Sequence, residues 1–350
     1  MRLLLILPFL VNCAGPYTPF GSAYAPANLF TKDNTTQFAP ETNEISPELI
    51  GASISYIPKY QALHASKDFK IIINDIRKIS TNPKVTFLYN GQDISKLIEQ
   101  VSTKVISKNK IIYKIENLTL PPNEDHHFVV LYGRDNDNQL LVKNYPYPKC
   151  DYSKETKLSK TSIQEKAKIK KAIESITKSY KINSALVAGL IAQESSFNPK
   201  AVSWAKAVGL TQVTPVAEQQ ILTEDSDWSI YPNWGRMPAS ILKTYIQTGK
   251  INKDNDWKLN PETSIEGGIK YLNYLEYFWS RPQNKEAIPL HMRSGELYTS
   301  ILLASYNSGP SRVKRRLLSH GKDWLRAHDL NEAKKYIGNV KSYCSHFTIE

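Results

Sequence analysis

The spacing of apolar positions changes three times along the chain, and each change marks a different kind of segment. Residues 3–11 are an unbroken apolar run behind Met1-Arg2. Residues 14–50 lose that character: Pro16, Pro19, Pro26, Pro40 and Pro47 interrupt a Thr-, Asn- and Ser-rich stretch, which is the composition of a flexible tether. From residue 51 to 150 short β-rich runs recur, at 69–73, 84–89, 111–115, 128–132 and 140–142. Asn90-Gly91 and the polar run 133–137 supply turn chemistry between them. About 100 residues of short strands predict a small immunoglobulin-like β-sandwich. After Cys150 the period becomes helical: Ile163, Ala167, Ile169, Ala172, Ile173 and Ile176 fall on one face, with lysines on the solvated side. Residues 184–193 are an apolar helix. Asn260-Pro261-Glu262 reads as an N-cap, a proline at the first helical position and an acid in the first turn. The helix it opens carries Ile265, Ile269, Leu272 and Leu275 in one stripe, and further helices are predicted at 296–305 and 331–344. The second domain, 151–350, is therefore expected to be all-α.

Composition narrows the class. A hydrophobic fraction of 41% across 350 residues supports a globular chain of about two domains and excludes a disordered one. The run 3–11 is about half the ~20 residues a transmembrane helix needs, so a polytopic membrane protein is excluded. It has the proportions of a secretory signal, residues 1–13. Leu10-Val11-Asn12-Cys13 resembles the lipobox of bacterial lipoproteins, in which the cysteine is lipidated. Asn12 departs from the small residue usual before that cysteine. An exported protein held at a membrane surface by a lipid on Cys13 is expected.

Export also makes a bond between Cys150 and Cys344 feasible, with two separate thiols as the alternative. His126-His127 is isolated and reads as an exposed polar pair, and no cysteine–histidine cluster suggests a metal site. The net charge is +12. It divides into 16 basic against 13 acidic residues over 1–150, and 29 against 20 over 151–350. All six tryptophans lie in the second half. An anionic or polymeric partner is expected there. A nucleic acid is disfavoured by export and by the lack of a recognisable binding motif.

The candidate chemistry centres on Glu194. Val187, Leu190, Ile191 and Glu194 stand at i, i+3, i+4 and i+7, so the acid shares an apolar helix face. Desolvation there favours the protonated form, which is what a general acid needs near neutral pH. A helix-end glutamate turned to water is the structural alternative. Around it run Glu194-Ser195-Ser196-Phe197-Asn198-Pro199, Ala201-Val202-Ser203 and Gly209-Leu210-Thr211-Gln212-Val213. Farther on come Gly268-Ile269-Lys270-Tyr271-Leu272, Ser305-Tyr306-Asn307-Ser308-Gly309 and the run 332–337 with Tyr336. In this order and spacing, over roughly 165–345, the motifs resemble the soluble lytic transglycosylases of bacteria and their lysozyme-like fold. Thr211 stands where that family usually has Met, Lys206 where Gly is common, and Ser305 and Ser308 where Ala is usual.

The resemblance implies that Glu194 is the catalytic acid, that Ser203 holds substrate, and that Gln212, Tyr306 and Asn307 line the sugar site with Tyr336 near Glu194. It implies cleavage of the MurNAc–GlcNAc β-1,4 bond of peptidoglycan to 1,6-anhydro-MurNAc, without a cofactor. The location implied is the periplasm, at the outer membrane. Glycan strands would be the partner of the helical domain, and an envelope protein a candidate partner of the β domain. Only one acid stands in the run before Glu218, which is consistent with a nucleophile carried by the substrate. The alternatives are a hydrolytic muramidase in which Asp225 or Asp227 positions water, and a non-catalytic wall-binding lipoprotein.

Overall fold

The computed structural model describes residues 49–348, apart from 64–67, 80–82, 117, 119, 124–125, 135–138, 160–166 and 223–226. The signal and lipobox with Cys13, nearly all of the tether, Ile163 and Asp225 lie outside the described residues. The chain divides into two units at Pro148–Lys149.

In the first unit, eight strands among the described residues form two antiparallel sheets. The strands are β1 (Ala52–Ile57), β2 (Asp68–Asp75), β3 (Lys84–Tyr89), β4 (Gln92–Asp93), β5 (Thr103–Ser107), β6 (Lys110–Glu116), β7 (Phe128–Gly133) and β8 (Leu140–Asn144). One sheet has the order β1-β2-β6-β5 and the other β4-β3-β7-β8. A short helix, α1 (Ser95–Val101), follows β4. Alternation dictates the packing. Phe69, Ile71 and Ile73 of β2, Ile111, Tyr113 and Ile115 of β6, and Phe128, Val130 and Tyr132 of β7 all point into one core. Registers such as Ile71↔Tyr113 and Phe87↔Val130 keep those faces aligned. Strand β5 is exposed along its whole length, so it has no inward-facing apolar row and no alternation in the sequence marks it. Inside the core Arg134 pairs with the fully buried Asp75 at 2.7 Å, and Tyr132 donates a hydrogen bond to the same carboxylate. Burial acts to raise the Asp75 pKa, but these donors outweigh it and hold the group below the usual carboxylate range.

The second unit is helical: α2 (Ala167–Tyr180), α3 (Ser184–Ser195), α4 (Pro215–Ile221), α5 (Ala239–Gln247), α6 (Pro261–Ser280), α7 (Pro282–Lys285), α8 (Gly295–Ser308), α9 (Pro310–His320) and α10 (Asn331–Phe347). Helix α3 is apolar on every side and is the buried centre of the unit; every residue from Ser184 to Ala192 is buried. Asn183 caps it, its side chain accepting from the backbone N–H of Ala185 and Leu186. Helix α10 lies directly against α3 at Gly189, where a Cβ would stand 2.7 Å from the Val340 carbonyl and 2.9 Å from the Cys344 nitrogen. Cys344 on α10 is bonded to Cys150, with Cα atoms 6.1 Å apart. The Asn260 cap of α6 forms as its sequence predicts, and Ile265, Ile269, Leu272 and Leu275 are buried. Among the described residues no helix is long and apolar enough to cross a membrane.

Candidate active site

The acid sits where α3 stops. Ser196 and Phe197 both take left-handed backbone conformations, at φ 52° and 60°, so the chain reverses immediately after the helix. Glu194 is therefore on the last turn, half-buried, at the edge of the core that α3 fills. Burial raises its pKa to about 7. Tyr336 Oη, arriving on α10, donates to Glu194 Oε1 at 2.6 Å and acts in the opposite sense; the negative charge of Glu332 pushes the pKa up further. A carboxyl with a pKa about 7 is partly protonated at neutrality and can both give and take a proton.

The loop after α3 is a braced structure. Ser203 and Ala207 close a tight turn through Ser203 N–H to the Ala207 carbonyl, and Ser203 Oγ accepts from Ala207 N–H at 3.0 Å. Lys206, in place of the glycine common in the resembled family, holds the left-handed conformation at φ 62°. Gly209 needs its own missing side chain, since its φ is 84° and a Cβ would lie 2.0 Å from the Lys258 carbonyl. Gln212 is buried, and its Nε2 donates to the carbonyls of Gly209 and Ala201 at 2.8 and 3.2 Å. Ser203 and Gln212 thus hold the loop's shape through these bonds. Thr211 Oγ1 bonds the Ser264 carbonyl, and its methyl would clash with any side chain at Gly268.

Tyr306, on α8, donates to the Thr211 carbonyl at 2.7 Å and so ties that helix to the loop. Its pKa is pushed well up by burial and by the nearby Glu194 carboxylate, which keeps the phenol protonated. Asn307 is half-buried and accepts a hydrogen bond from Ser308 Oγ. Asp227 is exposed in the turn before Trp228.

Two features carried no sequence signal strong enough to single them out. Glu332, a turn before Tyr336 on α10, places a second carboxylate in the field of Glu194; its own pKa is raised by burial against the opposing pull of Arg312. The spacing of four residues could have revealed it, because such pairs share a helix face. The other is a buried ion cluster. Lys258, 1% exposed, bonds Glu218 and, at 2.9 Å, Asp256. Trp234 and Trp257 donate their indole N–H groups to the same Glu218 carboxylate. Nothing in the string Trp257-Lys258-Leu259 distinguishes this lysine from a surface one.

A half-buried carboxylic acid with a pKa about 7, beside a protonated phenol and a braced loop, is an arrangement that can give and take a proton. Residues 171–229, which contain Glu194 and its loop, match the model of the transglycosylase SLT domain. Over 145 residues the chain is 29% identical to the membrane-bound lytic murein transglycosylase C of Glaesserella parasuis serovar 5, covering 41% of this chain and 31% of that protein. Over 174 residues it is 23% identical to the membrane-bound lytic murein transglycosylase E of Buchnera aphidicola, covering 49% and 64%. The 70 kDa soluble lytic transglycosylase of Escherichia coli aligns at 23% identity with a TM-score of 0.34, over 50% of this chain and 23% of that one. The matched segment spans about a third of the length of the transglycosylase C relative.

Proposed function

We propose that this chain is a peptidoglycan lytic transglycosylase that cleaves the MurNAc–GlcNAc β-1,4 bond and leaves 1,6-anhydro-MurNAc. The observation that carries the reading is Glu194: half-buried, with a pKa about 7 and the Tyr336 hydroxyl 2.6 Å from Oε1. Glu194 in its acid form gives its proton to the glycosidic oxygen as the bond from that oxygen to the muramic C1 breaks. The acetamido oxygen of the same sugar bonds to C1 and carries the developing charge. Glu194, now a carboxylate stabilised by Tyr336, takes the proton of the sugar's 6-hydroxyl. The 6-oxygen then displaces the acetamido oxygen at C1 and closes the anhydro ring. No water is consumed, and Glu194 ends protonated, ready for another turnover. Ser203, Gln212, Tyr306 and Asn307 line the sugar site, with the first two setting the loop that faces it.

The finer features of the fold belong to the same proposal. The strand orders β1-β2-β6-β5 and β4-β3-β7-β8 around one core support an immunoglobulin-like sandwich with an added strand, a module suited to an envelope protein partner. The helical unit is lysozyme-like. Lipidation at Cys13 would hold the protein at the outer membrane in the periplasm; the lipobox-like Leu10-Val11-Asn12-Cys13 supports this. Mass spectrometry of digested peptidoglycan tests the reaction, with wild type run beside Glu194→Gln. Anhydro ends from wild type alone are expected. Reducing ends would instead make the enzyme a muramidase, and no cleavage by wild type would refute the proposal.

A further inference from the structure

Lys258 is buried deep in the helical unit, and its ammonium takes no part in the proton transfers of the proposed reaction. Its bonds stay within a closed network. Glu218 accepts from Lys258 and, at 3.1 Å, from the indole of Trp257 on one oxygen, and from the indole of Trp234 at 2.8 Å on the other. Asp256 accepts from the ammonium at 2.9 Å, from the Lys258 backbone N–H at 3.1 Å and from the Tyr231 N–H at 3.2 Å. The ammonium also stands over the Trp234 ring, 4.1 Å from its centre. Replacing buried ion pairs by apolar side chains of similar volume is often neutral or stabilising, so stability alone does not account for this cluster. What apolar side chains could not supply is direction. Each donor is committed to an acceptor, so the network fixes α4, the 229–236 segment and residues 256–258 relative to one another.

That placement bears on the loop beside the acid, because Lys258 holds residues 209–214 at both ends. At the start, the Lys258 carbonyl lies 2.0 Å from where a Gly209 Cβ would be, so backbone rests directly on backbone. At the end, the loop runs through the Thr214 cap into α4, whose Glu218 is the ammonium's partner. Between these ends the Leu210 N–H donates to Ser264 Oγ and Thr211 Oγ1 to the Ser264 carbonyl. The Thr211 carbonyl accepts from the Tyr306 hydroxyl at 2.7 Å, and Tyr306 stands within the field of the Glu194 carboxylate. Lys206, on the preceding turn, bonds the Gly235 carbonyl and ties that turn to the segment that carries Trp234. A displacement of the loop carries Tyr306 with it, and catalysis is steep in such displacements. We propose that Lys258 is a positioning residue for the reaction: by holding Gly209 and Glu218 together it sets the loop that fixes the Tyr306 phenol beside Glu194. The proposal rests on the acid site read above and adds to it a buried cation that does not meet the substrate.

The test uses the full chain in two altered forms. Lys258→Met with Glu218→Gln removes the cation and its partner's charge together. Glu218→Gln alone keeps the cluster's size and leaves Lys258 its Asp256 partner. Thermal unfolding sets a temperature at which each form is folded, and there the rate of bond cleavage is measured against the concentration of soluble glycan strands, with and without Tyr306→Phe. The double change should lower kcat by roughly 10–100-fold with KM held within about twofold, and Glu218→Gln alone should lower kcat by roughly threefold. In the Tyr306→Phe background the same changes should cost less than about twofold, because the loop no longer has a phenol hydroxyl to place. A cluster that only stabilises the fold would lower the unfolding midpoint and leave kcat of the folded protein alone. The positioning role is therefore overturned by a kcat within about twofold of wild type in the double form, or in Glu218→Gln should the double form not fold, and equally by losses that multiply in full with that of Tyr306→Phe. Counting every cleaved bond keeps this apart from the reaction itself. Reducing ends in place of anhydro ends refute the transglycosylase reading and leave the Lys258 comparison intact; anhydro ends with unchanged kcat refute the positioning role alone.

Discussion

Glu194→Gln should make the protein inactive and, above neutral pH, more stable. Gln has the size of Glu and keeps an oxygen that can accept the Tyr336 hydrogen bond, so packing between α3 and α10 survives. The charge requirement does not. Glu194 has a pKa of about 7 in the fold against an ordinary glutamate value of 4.5, because burial disfavours its carboxylate. A raised carboxylate pKa means that the folded state binds the proton more tightly than the unfolded chain. Stability linked to this group is fully present below about 4.5 and falls as pH rises, until the folded group has itself ionised above about 7. The difference of about 2.5 pH units corresponds to roughly 3 kcal/mol at most, reduced by the access of solvent to a half-buried group. Gln carries no such cost. Thermal unfolding of both proteins at pH 4 and pH 8 measures it: similar midpoints at pH 4 and a higher midpoint for the variant at pH 8. In the same preparations, turnover of peptidoglycan should fall by at least ~10²–10⁴-fold. If the variant is no more stable than wild type at pH 8, Glu194 is not the desolvated acid described. Near-normal turnover would remove it from catalysis altogether.

Three other substitutions probe the parts around the acid. Tyr336→Phe removes the bond at 2.6 Å that favours the Glu194 carboxylate, so the alkaline limb of the pH–rate profile should move upward by roughly one to two pH units; an unmoved or lowered limb contradicts this. Reducing the Cys150–Cys344 bond, or replacing both cysteines with Ser, releases a loop with a sequence separation of 194 and should cost up to about 5 kcal/mol, read as a lower denaturant midpoint for the helical unit. An unchanged midpoint would show that the bond restrains little in the unfolded chain. Gly189→Ala forces a Cβ to 2.7 Å from the Val340 carbonyl, so α10 must shift from α3 at a cost of about 1–3 kcal/mol. Because α10 also carries Tyr336, activity should fall in folded protein as well, and a fully active variant would show that the fit between these helices does not position the phenol.

Local order was legible in the chain wherever one residue type could serve only one purpose. Asn260-Pro261 announced the start of α6, and its stripe of Ile265, Ile269, Leu272 and Leu275 announced the buried face. The alternation in β2, β6 and β7 did the same for the sheets, because a pleated strand with one buried face must alternate. The fully exposed β5 had no such obligation and left no pattern. At the site, the apolar spacing through Val187, Leu190 and Ile191 already set Glu194 at the edge of a core. What lay beyond periodicity was the way distant elements meet, although the family resemblance already implied Tyr336 near Glu194. Tyr336 reaches Glu194 across 142 positions because α10 packs on α3 at a glycine. Lys258 is a buried cation because Glu218, Asp256, Trp234 and Trp257 converge on it from separate segments. Periodicity records which face of an element is dry; which groups share that dry space, and therefore what their protons do, is decided by the packing of elements that are far apart in the chain.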